Sequence, residues 1–245
     1  KGLGLMEGVE RYAVGLNLGM IVALLVALLI YNMSLVVGGE WSLPELDSSV
    51  SGQDLRVLLG LLIVVQGFET SRYLGAKHPA DERIETMRSA QLIASGIYLL
   101  FVLLATVLFQ PSMGGDVTAI LTMTAPVAII LPLLLSVAAV GSQFSAAVAD
   151  TAGAGGLVGD LTNQKVSEKG AYALILAVTL ALTWLVNVNE IIALASRAFA
   201  LFYALQCLVA TLVGFRKKDL RRVVGFLVLA VLCFLVCLLG VPAES

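Results

Sequence analysis

Long apolar runs alternate along the chain with short stretches that hold nearly all the charge and most of the turn residues. A helix needs about 20 predominantly apolar residues to cross the hydrocarbon core of a bilayer. Seven segments answer to that length and pattern: 12–37, 55–75, 89–109, 125–150, 171–187, 190–214 and 222–240. Trp41-Ser42-Leu43-Pro44 and Pro111-Ser112-Met113-Gly114-Gly115 are breaker-rich connections. The tightest bend, Asn187-Val188-Asn189, predicts that the fifth and sixth segments form an antiparallel hairpin. Pro126 and Pro132 predict a bend near the start of the fourth. The pattern predicts an all-α membrane protein, a single transmembrane bundle over residues 1–245.

Composition agrees. Of 245 residues, 59% are hydrophobic and 13% charged, with a mean hydropathy of +0.98. Soluble domains are nearer half apolar and about a quarter charged, so the lipid bilayer is the expected solvent. The net charge is −2 and the basic residues form no stripe, which argues against a nucleic-acid partner. Cys207, Cys233 and Cys237 lie inside apolar runs and His78 is the single histidine, so neither a metal site, nor a cofactor, nor a disulfide framework is expected. Gly15-x-x-x-Gly19 and Gly155-x-x-x-Gly159 are spaced for close helix packing. The chain begins at Lys1 and enters its first apolar run within about a dozen residues. That run is too long for a signal-peptide core, so the chain is expected to be a piece of a longer protein.

Loop charge orients the segments. With simple alternation, one set of connections (1–11, 76–88, 159–170 and 215–222) holds twelve lysines and arginines, and the opposite set (38–54, 110–124 and 188–189) holds none. The positive-inside rule then predicts a cytoplasmic amino terminus and an extracytoplasmic carboxyl terminus in a multi-pass plasma (cell inner) membrane protein.

The second segment is the informative one. After the apolar stretch 55–65 comes Gln66-Gly67-Phe68-Glu69-Thr70-Ser71-Arg72, polar residues where the bilayer's middle should lie. Unwound backbone there persists only against protein, water or a bound solute, and half-helix ends present partial charges to that solute. Glu69 and Arg72 are ionisable at membrane depth, so function is the first reading for Glu69; Arg72 is nearer the cytoplasmic end and can snorkel. Arg197, inside the sixth segment, needs a carboxylate or carbonyl partner, with Glu190 and Glu69 as candidates, and reads equally as a structural ion pair or a gate. Ser142 and Ser145 share a helix face and offer hydroxyls to an ion or substrate group, or bond back to their own helix. Asp150 reads as a capping or solvated residue at the fourth segment's inner end.

The stretch Gln66-Gly67-Phe68-Glu69-Thr70, with Lys77-His78-Pro79 and Arg83 in the loop that follows, resembles the sixth helix of transporters of the amino acid–polyamine–organocation superfamily. The resemblance implies a partial inverted-repeat transporter fold running from about helix five to helix eleven. It implies substrate contact at Val65, Gln66, Gly67 and Phe68, with Phe68 as the aromatic over the substrate and Glu69 stabilising the break or taking part in coupling. It also implies that the N-terminal helices of the same protein supply the other half of the site. Sodium-coupled relatives use adjacent hydroxyl residues on helix eight, whereas Gln143 follows Ser142 here; proton-coupled relatives can use a lysine in helix five, and 12–37 has none. The coupling ion, proton or sodium, stays open.

The expected function is secondary active transport of amino acids, amines or similar small polar organic solutes by alternating access. A transporter-like scaffold or sensor is the alternative. An intramembrane enzyme is disfavoured: Gly155-Gly156-Leu157-Val158-Gly159-Asp160 has the wrong spacing for an aspartyl protease, and no intramembrane histidine accompanies Ser142.

Overall fold

The computed structural model describes residues 2–45, 49–62, 78–110, 118–163 and 165–242, with the side chains of 2–11, 149, 152 and 168 left aside. The described residues form helices α1 (Gly2–Gly38), α2 (Gly52–Gly60), α3 (Ala80–Ala105), α4 (Ala119–Thr124), α5 (Leu131–Leu161), α6 (Glu168–Leu185), α7 (Val188–Arg216) and α8 (Leu220–Leu239), with no strand among them. Five are long and apolar enough to cross a membrane, and α6 is a shorter apolar helix. Large apolar side chains such as Ile129 and Trp184 point outward, 96% and 84% exposed. Such a surface suits hydrocarbon and not water. The protein is an all-α membrane protein.

The chain divides into two compact units, Lys1–Asp47 with Thr70–Ile175, and Ser48–Glu69 with Leu176–Ser245. In the first, Leu24 and Leu28 of α1, Ala105 and Leu108 at the end of α3, Met123 of α4 and Leu131 of α5 form the buried core. Asn32 ties this core together. Its Nδ2 donates to the Leu28 and Leu104 carbonyls at 2.9 Å each, and its Oδ1 accepts from Trp41 Nε1 at 3.0 Å. Leu104 lies in the last turn of α3, where carbonyls lack intrahelical donors, so the asparagine closes a helix end that lipid would leave unpaired. Farther along, Gly155 of α5 lies under Tyr172 of α6, where a Cβ would come within 2.6 Å of the ring. The Gly155 spacing therefore serves internal packing, whereas Gly15 and Gly19 face open space.

In the second unit, the buried face of α7 is made of small residues, Ala193, Ser196, Ala200, Ala204, Thr211 and Gly214. Their three- and four-residue spacing lets neighbouring backbones approach closely. Helix α7 packs on α8 and α2. The tight turn expected at Asn187 is present, and α7 gives its small-residue face to α8 and α2.

Helix α2 starts firmly and stops early. Ser51 and Asp54 form a capping box, with Ser51 Oγ accepting from Asp54 N at 3.2 Å and Asp54 Oδ2 accepting from Ser51 N at 2.8 Å. These bonds from Ser51 hold the Asp54 carboxyl below its ordinary value of 3.8. The helix ends at Gly60, where Leu61 (φ −98°, ψ 13°) turns its N–H to the Leu58 carbonyl at 3.2 Å. The end of α8 is stitched to it: Val241 N donates to the Arg56 carbonyl at 3.0 Å, and Arg56 Nε donates to the Leu239 carbonyl at 3.2 Å. Gly60 permits this approach, since a Cβ there would run into the Val241 carbonyl.

Other boundaries differ from the hydropathy pattern. Helix α3 begins at Ala80, so the charges of 81–88 ride on its first turns; Pro79 precedes it and Asp81 and Glu82 suit its amino-terminal dipole. Pro126 lies between α4 and α5 and Pro132 in the first turn of α5, so the prolines separate two helices and do not bend one. Helix α5 then runs past Asp150 to Leu161, placing Asp150 about three turns before its end.

Gly60→Ala is expected to destabilise the intact protein by about 1–3 kcal/mol, the usual cost of overpacking, because the obstacle is a backbone carbonyl that cannot rotate away. Gly156→Ala, with nothing within 4 Å, should leave the melting temperature unchanged or higher. Thermal unfolding in detergent compares the two.

Candidate functional site

The polar stretch singled out in the sequence, Val65, Gln66, Gly67, Phe68, Glu69 and Arg72, lies outside the described residues. What leads into it is described. Helix α2 stops at Gly60, within an apolar run and after only nine residues, about 13 Å at 1.5 Å per residue. That is less than half of a hydrocarbon core. The α-helix ends at Gly60 with a turn at Leu61 and 3-10 geometry at Leu62, the last described residue before the polar stretch.

Ser142 and Ser145 are brought together. Both line a cleft of about 100 Å³ between α1 and α5, with Ala13, Val14, Asn17, Gly141 and Ala146. Hydroxyls elsewhere on these helices bond back to their own turns: Thr106 to Val102, Thr124 to Ile120, Ser136 to Pro132, Thr183 to Thr179 and Thr211 to Cys207. Ser142, Ser145 and Asn17 make no hydrogen bond among the described residues. Three uncharged polar side chains thus converge on one cleft with their capacity unused. Such oxygens can hold a small cation or a polar solute group by dipoles. The lining has no titratable side chain, so nothing in it can carry a proton.

Asn17 is the residue that the apolar pattern conceals. It is one of two asparagines in the first span, and the other, Asn32, is fully engaged. A lone polar residue in a membrane helix was the available signal; that it faces Ser142 depends on how α1 and α5 pack, which no local pattern reports.

Arg197 stands exposed on α7 with no ion-pair partner among the described residues. Glu190 is engaged elsewhere. Its carboxylate accepts from Asn187 N at 3.2 Å and its own N–H donates to Asn187 Oδ1 at 2.9 Å, completing the α7 capping box. The suggested Glu190–Arg197 pair is therefore not formed, because capping holds Glu190 at the helix start. Among the described residues no group of His, Cys, Asp and Glu could hold a metal ion.

The two asparagines should respond oppositely to substitution. Asn32→Leu removes three hydrogen bonds and orphans the Leu104 carbonyl, at an expected cost of about 1–3 kcal/mol. Asn17→Leu removes none and should leave the melting temperature unchanged or raised. A loss of stability at Asn17 equal to that at Asn32 would contradict the assignment of free side chains to the cleft.

An uncharacterized protein of Aquifex aeolicus (strain VF5) is 45% identical over 238 residues, covering 96% of this chain. The chain spans 57% of the length of that curated relative. No solved structure matches it. A family model described as an APC superfamily transporter matches residues 1–240. With its lipid-facing helices and that match over nearly every residue, the chain belongs to a transporter family of the APC superfamily.

Proposed function

We propose that the protein is a secondary transporter of amino acids, amines or similar small polar organic solutes, working by alternating access across a plasma (cell inner) membrane. The observation that carries this reading is the end of α2 at Gly60, inside an apolar run and in a chain of a transporter family. Backbone leaving a helix at membrane depth needs partners that lipid cannot supply. A solute held by Val65, Gln66, Gly67 and Phe68 is such a partner, with Glu69 stabilising the break or joining in coupling.

The remaining part of the site is proposed to come from other helices of the same protein. Arg72 acts as a structural charge near the cytoplasmic end and Arg197 as a gate or ion-pair member. The cleft of Asn17, Ser142 and Ser145 serves as a second polar foothold in the membrane. Its neutral oxygens fit sodium better than proton coupling, since no lining residue titrates. The amino terminus of the chain is taken as cytoplasmic and its last residues as extracytoplasmic, following the charge of the connections. Two contacts support that alternation. Asn32 meets Leu104 and Arg56 meets Leu239, and in each pair the charge count assigns both residues to the same outer side.

Radiolabelled amino acid uptake by the intact protein in proteoliposomes tests the reading. Gly67→Leu should lower uptake at least about tenfold, a loss of about 1.4 kcal/mol or more of differential binding. Ser142→Ala with Ser145→Ala should reduce stimulation by sodium against a choline control. Unchanged uptake in Gly67→Leu would remove the site assignment, and stimulation by a proton gradient alone would remove the sodium reading.

A further inference from the structure

The turn between α7 and α8 carries more positive charge than the helix ends call for, although Arg216 in the last turn of α7 suits that helix's dipole. Arg216, Lys217, Lys218, Arg221 and Arg222 fall within seven residues, and all five are exposed. Among the described residues only Arg222 is paired, its Nε lying 3.1 Å from Asp219 Oδ2. Arg216, Lys217, Lys218 and Arg221 have no carboxylate partner among the described residues.

The backbone makes this arrangement costly. Asp219 N donates to the Gly214 carbonyl at 3.0 Å and Lys218 N to the Phe215 carbonyl at 3.1 Å, the paired bonds of a Schellman turn. That turn needs a left-handed residue just past the helix, and Lys218 takes it at φ 56°. Glycine is the usual occupant because a Cβ disfavours this conformation. Among the described residues the other left-handed positions hold residues suited to them, Gly39 at φ 72° and Asn163 at φ 51°. A general bias of basic residues toward one side of the membrane would be met by the other four cations, so it leaves a lysine at this position unexplained. Arg221 adds a second cost, since a cation in the first turn of a helix opposes its dipole. Arg222 in the same turn is offset by its pair with Asp219, which also caps the helix.

The position of the turn says what relieves these costs. Helix α8 has 20 residues, about 30 Å at 1.5 Å per residue, the thickness of the hydrocarbon core. Its first turn therefore lies at the boundary between acyl chains and headgroups. Phe215 and Leu220, 60% and 71% exposed, flank the cations with apolar surface. Cations at headgroup depth with exposed apolar neighbours complement a molecule that is anionic at one end and apolar at the other. We propose that the α7–α8 turn is a binding site for an anionic phospholipid. Lys217, Lys218 and Arg221 bind the phosphate-bearing headgroup, and Phe215 and Leu220 lie beside the acyl chains. Arginine supplies paired donors to phosphate oxygens and the lysines supply point charge.

This inference depends on the chain spanning a membrane and not on which solute it carries. Native mass spectrometry of the intact protein, released from micelles with equal phosphatidylglycerol and phosphatidylcholine, tests it. The unaltered protein should retain phosphatidylglycerol several-fold over phosphatidylcholine. K217Q/K218Q/R221Q should bring the ratio to about one, while K165Q/K169Q, which removes charge from another connection, should leave it high. Lys218→Gly guards against a folding defect. It relieves the backbone, so it should melt at a higher temperature in neutral detergent while retaining about half as much phosphatidylglycerol or less. Enrichment that survives the triple substitution, or that falls equally in K165Q/K169Q, would overturn the site. Displacement by millimolar inorganic phosphate would reassign it to a free anion, which also overturns the lipid proposal.

Discussion

Lipid offers no hydrogen bonds, and this one constraint governs how every helix in the protein is allowed to end. An unpaired peptide group in hydrocarbon costs several kcal/mol, so each end must find a partner from the chain, from the headgroup region or from something bound. Helix α3 ends against the Asn32 side chain, and α8 ends against Arg56 and the carbonyl of the same residue. Helix α7 closes on itself through the Gly214–Asp219 turn. Helix α2 stops after nine residues with apolar sequence still ahead of it, its end held by Leu61 N on the Leu58 carbonyl and by Val241 N on the Arg56 carbonyl.

The close approaches follow from the same constraint. Where backbone must meet backbone, side chains have to be absent or small. Gly60 admits the Val241 carbonyl, and the face of α7 is stripped to alanine, serine, threonine and glycine where α2 and α8 pack. Apolar bulk is placed outward instead, where hydrocarbon rewards it as well as a core would. Stability thus rests on a few backbone contacts and polar ties, and the outer surface is left to interact with lipid. At the α7–α8 turn that interaction becomes specific in charge.

Much of this was legible in the sequence, and the reasons are physical. Membrane class follows from composition, because no folding of so apolar a chain could hide its surface from water. Lysine and arginine fall in one set of connections and not the other, which is the pattern behind the proposed orientation. Boundaries were harder. The first turns of α3 are charged and look like loop, since hydropathy cannot separate a loop from a helix that projects into the headgroups. The last three turns of α5 pass through Thr151-Ala152-Gly153-Ala154-Gly155-Gly156, a weak helix by local propensity, and Tyr172 packs over Gly155 there. The shared face of Ser142 and Ser145 is a matter of helical spacing and was readable. Asn17 opposite them depends on helix packing and was not. Nor could the sequence reveal that Glu190 caps α7, because the capping box and an ion pair to Arg197 use the same carboxylate.

The proposed function turns on the segment that follows α2, where a bound solute would partner backbone that lipid cannot. Amide hydrogen–deuterium exchange of the intact protein in lipid nanodiscs measures that partnering directly, by comparing residues 61–70 with the middle of α8. The account predicts that amides 61–70 exchange far faster than those of α8 and become protected when a transported amino acid is added. Protection equal to that of α8 throughout 61–70, unaltered by any amino acid or amine, would contradict it.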